Sequence, residues 1–356
     1  MKKLNMAIIG QGRSGRDIHG QYLMSDANNL FNVVAVVEFD PERRERALKE
    51  FPGCKVYECY TELFGVEGLD LVLNASYSEM HYDITKDLLN HGFNVLVEKP
   101  MARNYYECTD LIRIAKEKGV VFTVFQQSFL TPYYQFTKEL VNSGKLGDVL
   151  SVDITFNGFA RRWDWQTLQC KMAGCAYNTG PHPIGFALDF LDFSPEANVV
   201  YSKMHNALGS GDAEDWVRML LTAPGKPMVE VQICPTDAYS DYFIKIQGSR
   251  GTYKCTPKNY QMKYIVDGEN PERPVIFESL QNEDGTPAYC SENLVSHEES
   301  GDFNGDAFNS AVARFYEMLY NTIENGAELI IKPEMAADII RVIEACHGQN
   351  PMPVMF

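Results

Sequence analysis

Apolar residues fall in short blocks along the first third of the chain, and the blocks change period in a regular way. Residues 6–9, Met6-Ala7-Ile8-Ile9, make an unbroken apolar run of strand length, and residues 13–23 follow with helix-compatible spacing. The alternation then repeats. Apolar runs at 32–37, 69–75, 93–97 and 120–125 predict strands, and amphipathic stretches at 41–51, 79–90 and 105–118 predict helices, the last two closed by Gly92 and Gly119. Apolar strands separated by helices build βαβ crossovers, so this part is predicted to be a parallel sheet covered on both faces, a Rossmann fold.

After Pro132 the texture changes. A helix over 133–142 leads into Gly144, and strands at 149–156, 199–204, 217–221, 229–233, 243–247 and 252–255 follow with short connections. Successive strands of this kind predict a mainly antiparallel sheet, whose face opposite the helices must be buried by something. Helices at 306–325 and 334–346 carry apolar repeats suited to packing. A chain of 356 residues exceeds the usual single-core size. The expected organisation is α/β, with a dinucleotide-binding domain over 1–125 and an α+β substrate-binding domain over 126–356.

Composition narrows the partners. With 45% hydrophobic and 22% charged residues the chain is globular. Its formal charge of -16 repels polyphosphate and anionic lipid, which excludes nucleic acid and membrane as main partners and makes a neutral small molecule the better match. No apolar run reaches the roughly 20 residues of a membrane span. Met1-Lys2-Lys3 leads straight into a strand without a secretory segment, so the expected location is cytoplasmic. Nine cysteines without a C-x-x-C pair read as free thiols in a reducing compartment, and no metal is expected.

The chemistry starts where the first strand ends. Gly10-Gln11-Gly12-Arg13-Ser14-Gly15 is a complete G-x-G-x-x-G, in which the glycines permit a tight turn, close approach to a pyrophosphate and helix–strand packing. Glu38 closes the second strand about twenty residues on, where a ribose hydroxyl is read; its charge favours NAD over NADP, although Arg43 and Arg44 lie nearby. Ser76-Tyr77-Ser78 with His81 opens the helix after the next predicted strand, with His81 read as a structural residue more readily than a catalyst. Glu98-Lys99-Pro100 ends the strand at 93–97, putting an amine at the carboxyl edge of a parallel sheet, where such folds bind ligands.

These segments resemble the glucose-fructose oxidoreductase, inositol dehydrogenase and MocA group (Gfo/Idh/MocA). The resemblance extends through Asp40-Pro41, Ala75-Ser76, Ser143-Gly144-Lys145-Leu146-Gly147-Asp148-Val149, Gln247-Gly248-Ser249-Arg250-Gly251-Thr252 and the terminal helix at 333–347. It implies an NAD cofactor, which some members retain permanently, with Gly10, Gly12, Arg13, Ser14, Gly15, Glu38, Ser76, His81, Glu98 and Lys99 around it. It also implies that Lys99 lies beside nicotinamide and substrate hydroxyl, with a Lys-Pro bond that is often cis. The second domain is then a large open sheet whose exposed face often makes a subunit contact, so a homo-oligomer is expected.

A second chemical segment runs from Ala173 to Gly185 and contains Tyr177-Asn178-Thr179-Gly180-Pro181-His182. Dehydrogenases of the resembled group usually carry an aspartate four residues before the histidine. Asn178 takes that place, and since an amide cannot accept the proton, acid–base work falls to His182, Lys99 or both. Pro181 in a first helical turn would put His182 near the positive helix end, which disfavours imidazolium. The loop at 156–166, with Arg161, Trp163 and Trp165, interleaves aromatic planes and polar groups as a sugar requires; Tyr177, Asn178 and Thr179 are further substrate-binding candidates. The expected activity is oxidation of a secondary hydroxyl of a sugar or glycoside, C3 foremost. An inositol-type dehydrogenase, an oxidation–elimination glycosidase and a non-catalytic NAD/sugar sensor are the alternatives.

Overall fold

The computed structural model describes residues 2–356. Its first sheet has six parallel strands: β1 (Leu4–Ile9), β2 (Phe31–Val37), β3 (Lys55–Tyr57), β4 (Leu71–Asn74), β5 (Val95–Val97) and β6 (Phe122–Val124), in the spatial order β3-β2-β1-β4-β5-β6. The connections carry helices: α1 over Arg13–Gly20 and Gln21–Met24, α2 (Pro41–Glu50), α3 (His81–Asn90) and α4 (Tyr105–Lys118). Strand order reverses between β1 and β4. Helices leave on opposite faces there, so a crevice opens beyond the carboxyl ends of the two strands. Central strands are sealed on both sides: all residues of β4, β5 and β6 are buried, which is why they read as unbroken apolar runs.

Next in the chain come α5 (Pro132–Asn142), β7 (Val149–Thr155), α6 (Cys175–Asn178), α7 (Pro181–Phe190), β8 (Asn198–His205), β9 (Trp216–Thr222), β10 (Met228–Ile233), β11 (Ile244–Gly248), β12 (Gly251–Cys255), β13 (Asn259–Tyr264) and β14 (His297–Asp302). These eight strands form the second sheet in the order β14-β13-β12-β11-β7-β10-β9-β8. Neighbours are antiparallel except β7 with β10, so the sheet is mixed at its centre. Buried positions alternate along it: Val152, Ile154, Val229, Val231, Ile244 and Ile246 face the helices, whereas Asp153, Glu230 and Lys245 face outward. The outer face is mixed, with Tyr201, Leu220 and Met228 on the same side as these charged groups.

β13 and β14, like the three-residue edge strand β3, are strands that apolar patterning does not predict. They lie at one edge of the sheet and leave most of their residues in water, so no buried stripe marks them.

The chain ends in α8 (Ala307–Asn325) and α9 (Pro333–Gln349), which return to the first sheet. Tyr316 stacks on Tyr22 at 4.7 Å and meets Phe31 edge-on, and Thr123 donates to the Ile331 carbonyl at 2.7 Å. One apolar core therefore runs through both sheets. It fixes the relative position of the two halves that face the crevice. Among the described residues no helix is long and apolar enough to cross a membrane.

Candidate active site

The glycine loop is shaped by close contact. Gly10 has φ +93°, and a Cβ there would lie 2.4 Å from the Ala75 carbonyl oxygen; a Cβ on Gly15 would lie 2.0 Å from the Gly10 oxygen. No side chain fits at either position. Gly12 is different, with no heavy atom within 4 Å of where its Cβ would be, so the backbone is open to the cleft at the point where a pyrophosphate would approach. Helix α1 begins here in wide π-type turns, without a side-chain cap on its first amides. Those free N–H groups favour an anion.

A cleft of about 530 Å³ extends from this loop along Arg13, Ser14, Glu38, Phe39, Ser76 and Tyr77. The Glu38 carboxylate is nearly buried and accepts from Gln11 N–H at 2.8 Å and Asp40 N–H at 3.1 Å, which ties the glycine loop to the end of β2. A carboxylate has about four lone-pair sites, so acceptor capacity remains for a ribose hydroxyl. Arg43 lines the cleft 3.6 Å from Glu38, whereas Arg44 turns away to the Glu38 and Phe39 carbonyls and to Glu58. Shape, helix end and acid together fit an unphosphorylated dinucleotide.

At the end of β5 the Glu98 carboxylate is sealed from water, and each of its oxygens has a partner. Oε1 faces His19 Nε2 at 3.0 Å, Oε2 accepts the Lys99 N–H at 3.1 Å, and His19 Nδ1 meets the Tyr316 hydroxyl at 2.8 Å. Burial pushes the Glu98 carboxyl upward, but the His19 hydrogen bond and the charges of His19, Lys99 and His81 outweigh it, and the net shift is downward. Glu98 therefore stays ionised. The Lys99–Pro100 peptide is cis. Lys99 Nζ donates to the Asn178 carbonyl at 2.8 Å, across from β5 to α6. Burial holds this amine below its ordinary value; Glu98 opposes that shift, and the positive charges of Arg13 and Arg162 add to it.

A small cavity of about 60 Å³ surrounds Lys99, with Ser14, Ser76, His81, Glu98, Gln166 and Asn178 among its walls. His81 braces this cavity. Its ring nitrogens lie 2.7 Å from the Pro100 carbonyl and 3.2 Å from that of Ser76, and burial lowers its pKa.

His182 comes from the other half, on the first turn of α7, and lines neither the small cavity nor the cofactor cleft. Nδ1 lies 3.0 Å from Ser128 Oγ and the ring is near Phe156. Burial, followed by the charge of Lys99, pushes its pKa down to about 3. The neutral ring expected from the helix end is present, but burial is the dominant cause.

The sequence-predicted substrate residues divide. Thr179, Arg161 and Trp163 line a larger cavity of about 440 Å³ on the far side of Gln166, although Trp163 is 85% exposed. Asn178 lines the small cavity and donates Nδ2 to Gln166 Oε1 at 3.0 Å. Trp165 borders both the small cavity and the cofactor cleft, and stands edge-on to Tyr77 at 5.3 Å. Tyr177 points away, its hydroxyl donated to the Arg103 carbonyl at 2.7 Å and its ring on His347. One residue along a helix is a rotation of about 100°, enough to separate Tyr177 from Asn178.

Three participants are not singled out by the sequence. Gln166 ends the predicted sugar-binding loop, and only the structure shows that it lines all three cavities. His19 and Tyr316 carry a weak signal, a polar group on the buried face of a helix.

The segment carrying Trp165 and Gln166 is strapped to the nucleotide-binding half. Lys171 Nζ pairs with Glu79 at 2.7 Å, and Arg103 donates to the Gln169 and Cys170 carbonyls at 3.4 and 3.3 Å.

With this geometry established, the family is plain. The chain matches the oxidoreductase family GFO_IDH_MocA, NAD-binding Rossmann fold, over residues 4–126 and its C-terminal alpha/beta domain over residues 138–350. The protein belongs to the Gfo/Idh/MocA oxidoreductases, and NAD is its cofactor. It is similar to scyllo-inositol 2-dehydrogenase (NADP(+)) IolW of Bacillus subtilis, 23% identical with 96% of this chain and 92% of the relative covered. It is also similar to 2,7-anhydro-N-acetylneuraminate hydratase of Mediterraneibacter gnavus, 24% identical with 80% and 75% covered. GenD2 from gentamicin A biosynthesis, solved in complex with NAD, shares the fold with a TM-score of 0.77 at 18% identity, covering 98% of this chain and 94% of its own.

Two predictions follow from this geometry. Lys171→Ala loosens the strap, and NADH dissociation followed by stopped-flow fluorescence should speed up about two- to fivefold, the worth of a partly exposed ion pair. An unchanged off-rate would show that the strap does not hold the cofactor. The second concerns pH. His182 is held at about 3 in the folded chain against an ordinary 6.5, so between these values the unfolded chain binds a proton that the folded one does not. Stability from this group is therefore lost as pH falls through that window. His182→Gln should flatten the fall in urea-unfolding free energy between about pH 6.5 and 4 by roughly one proton of slope; parallel profiles would contradict the assignment.

Proposed function

We propose that the protein oxidises a secondary hydroxyl of a sugar or glycoside, at C3, to the keto sugar. The supporting observation is the position of Lys99 Nζ, anchored on the Asn178 carbonyl in the small cavity at the sheet edge, where the cofactor cleft and the side of Gln166 facing the larger cavity converge. Bound NAD supplies the hydride acceptor. An ammonium has three N–H donors, and one is spent on Asn178, which leaves donors for the substrate oxygen as charge grows on it. With water largely excluded, such donors act with little screening. The hydroxyl proton passes to neutral His182 or, with its lowered pKa, to Lys99 as the free amine. Asn178 orients the segment through its carbonyl and through Gln166 and takes no proton.

The expected consequence is that Lys99→Met lowers kcat by about a thousandfold or more, with NADH binding retained in fluorescence titration. Turnover of the sugar by this variant at the parental rate would refute the role of Lys99. A hydratase relative supports a second reading, in which oxidation is followed by elimination or hydration and the hydride is returned. Product formation without net NADH in the same assay favours it.

We also infer a homo-oligomer assembled through the second sheet. The 32 residues between Tyr264 and His297 leave Val275, Ile276 and Phe277 exposed at 80%, 52% and 90%, a concentration of apolar surface that a second copy would cover. Light scattering on a sizing column should give a multiple of 40.3 kDa; a single-chain mass at micromolar concentration would end this inference.

A further inference from the structure

The larger cavity has a charge pattern that the carbohydrate reading leaves unused. Its walls hold the guanidinium groups of Arg13, Arg161 and Arg162 and the carboxylates of Asp164, Glu214 and Asp215. The carboxylates are already engaged. Asp164 accepts from Gln166 N–H at 2.9 Å and pairs with Arg162 at 3.1 Å. Glu214 accepts from Ala176 N–H at 3.0 Å and faces His347 Nε2 at 3.3 Å. Asp215 takes the N–H groups of Ala207, Leu208 and Gly209 at 2.6, 2.8 and 2.7 Å.

The walls thus carry equal numbers of guanidinium and carboxylate groups, and the two sets differ in their hydrogen bonds. Arg162 bonds Asp164 and Gln166, whereas Arg13 and Arg161 have no hydrogen-bond acceptor among the described residues. Arg13 also faces the cofactor cleft, where the diphosphate of NAD would meet it. Arg161 lines the larger cavity and not the cofactor cleft. A free, planar guanidinium on a cavity wall matches a carboxylate, which it binds by two parallel N–H···O bonds. Arg161 is exposed, so its charge is screened by salt and the paired hydrogen bonds carry the recognition.

We propose that the substrate is a sugar acid, its carboxylate bound by Arg161 while its hydroxyl-bearing ring reaches Lys99. The proposal rests on the carbohydrate reading and refines it, replacing the neutral ligand expected from net charge.

Calorimetric titration of the protein preloaded with NADH, which blocks oxidation, compares glucuronate with glucuronamide and galacturonate with galacturonamide. Each pair shares a ring and differs in charge. The acids should bind at least about tenfold tighter than the amides. That ratio should collapse toward one in Arg161→Gln, recover in part in Arg161→Lys, and shrink with added salt. Because it is a ratio within one protein sample, a partly unfolded variant does not mimic the result. Amides binding as tightly as acids, an acid preference that survives Arg161→Gln, or failure of both acids to bind overturns the proposal. Replacing NADH by NAD+ separates it from the dehydrogenase reading: acids that bind through Arg161 without forming NADH leave this proposal standing and remove that reading. NADH formation from neutral sugars alone does the reverse.

Discussion

A carboxylate closed off from water at the end of a central strand must be met by hydrogen-bond donors, because an uncompensated buried charge costs several kcal/mol. Glu98 is that carboxylate, and the groups that answer it come from distant parts of the chain. His19 reaches it from the helix after the glycine loop, the Lys99 amide from the next residue, and Tyr316 holds His19 from α8 near the end of the sequence. One charge thus joins the nucleotide loop, the lysine corner and the returning C-terminal helix. The position of Lys99 depends on this arrangement, since its backbone is one of the donors.

The same corner is electrostatically asymmetric. The Glu98 carboxylate supports the charge of Lys99, whereas the guanidinium groups of Arg13 and Arg162 oppose it from the cofactor cleft and the larger cavity. Burial works in the same direction as the arginines. The result is an amine whose charge is poorly supported by the protein alone, and an anionic substrate or a growing negative charge on oxygen relieves it.

Gln166 shows how the two halves share one site. It borders the cofactor cleft, the lysine cavity and the larger cavity, and its amide oxygen takes Asn178 on one side and Arg162 on the other. The strap formed by Lys171 and Glu79 keeps that segment against the nucleotide-binding half. One stretch of chain therefore borders both the cofactor cleft and the larger cavity.

The sequence by itself determined the Rossmann half, because strands buried on both faces leave unbroken apolar runs and because steric contact at Gly10 and Gly15 admits no side chain. It likewise marked a dinucleotide site through the glycine motif, offered Glu38 as its ribose acid, and brought Lys99 and His182 forward as candidates for the chemical pair. The edge strands β13 and β14 left no such trace, since a half-exposed polar strand has no buried stripe. Only the tertiary structure decided which neighbours along the chain share a site: Asn178 turns inward and Tyr177 outward, and Trp165 goes to the cofactor while Arg161 goes to the larger cavity. Only it brought together His19, Glu98 and Tyr316, because a hydrogen bond spanning 297 positions has no local signature. Local pattern reports how each segment meets water, whereas contacts between distant segments exist only after the chain has closed on itself.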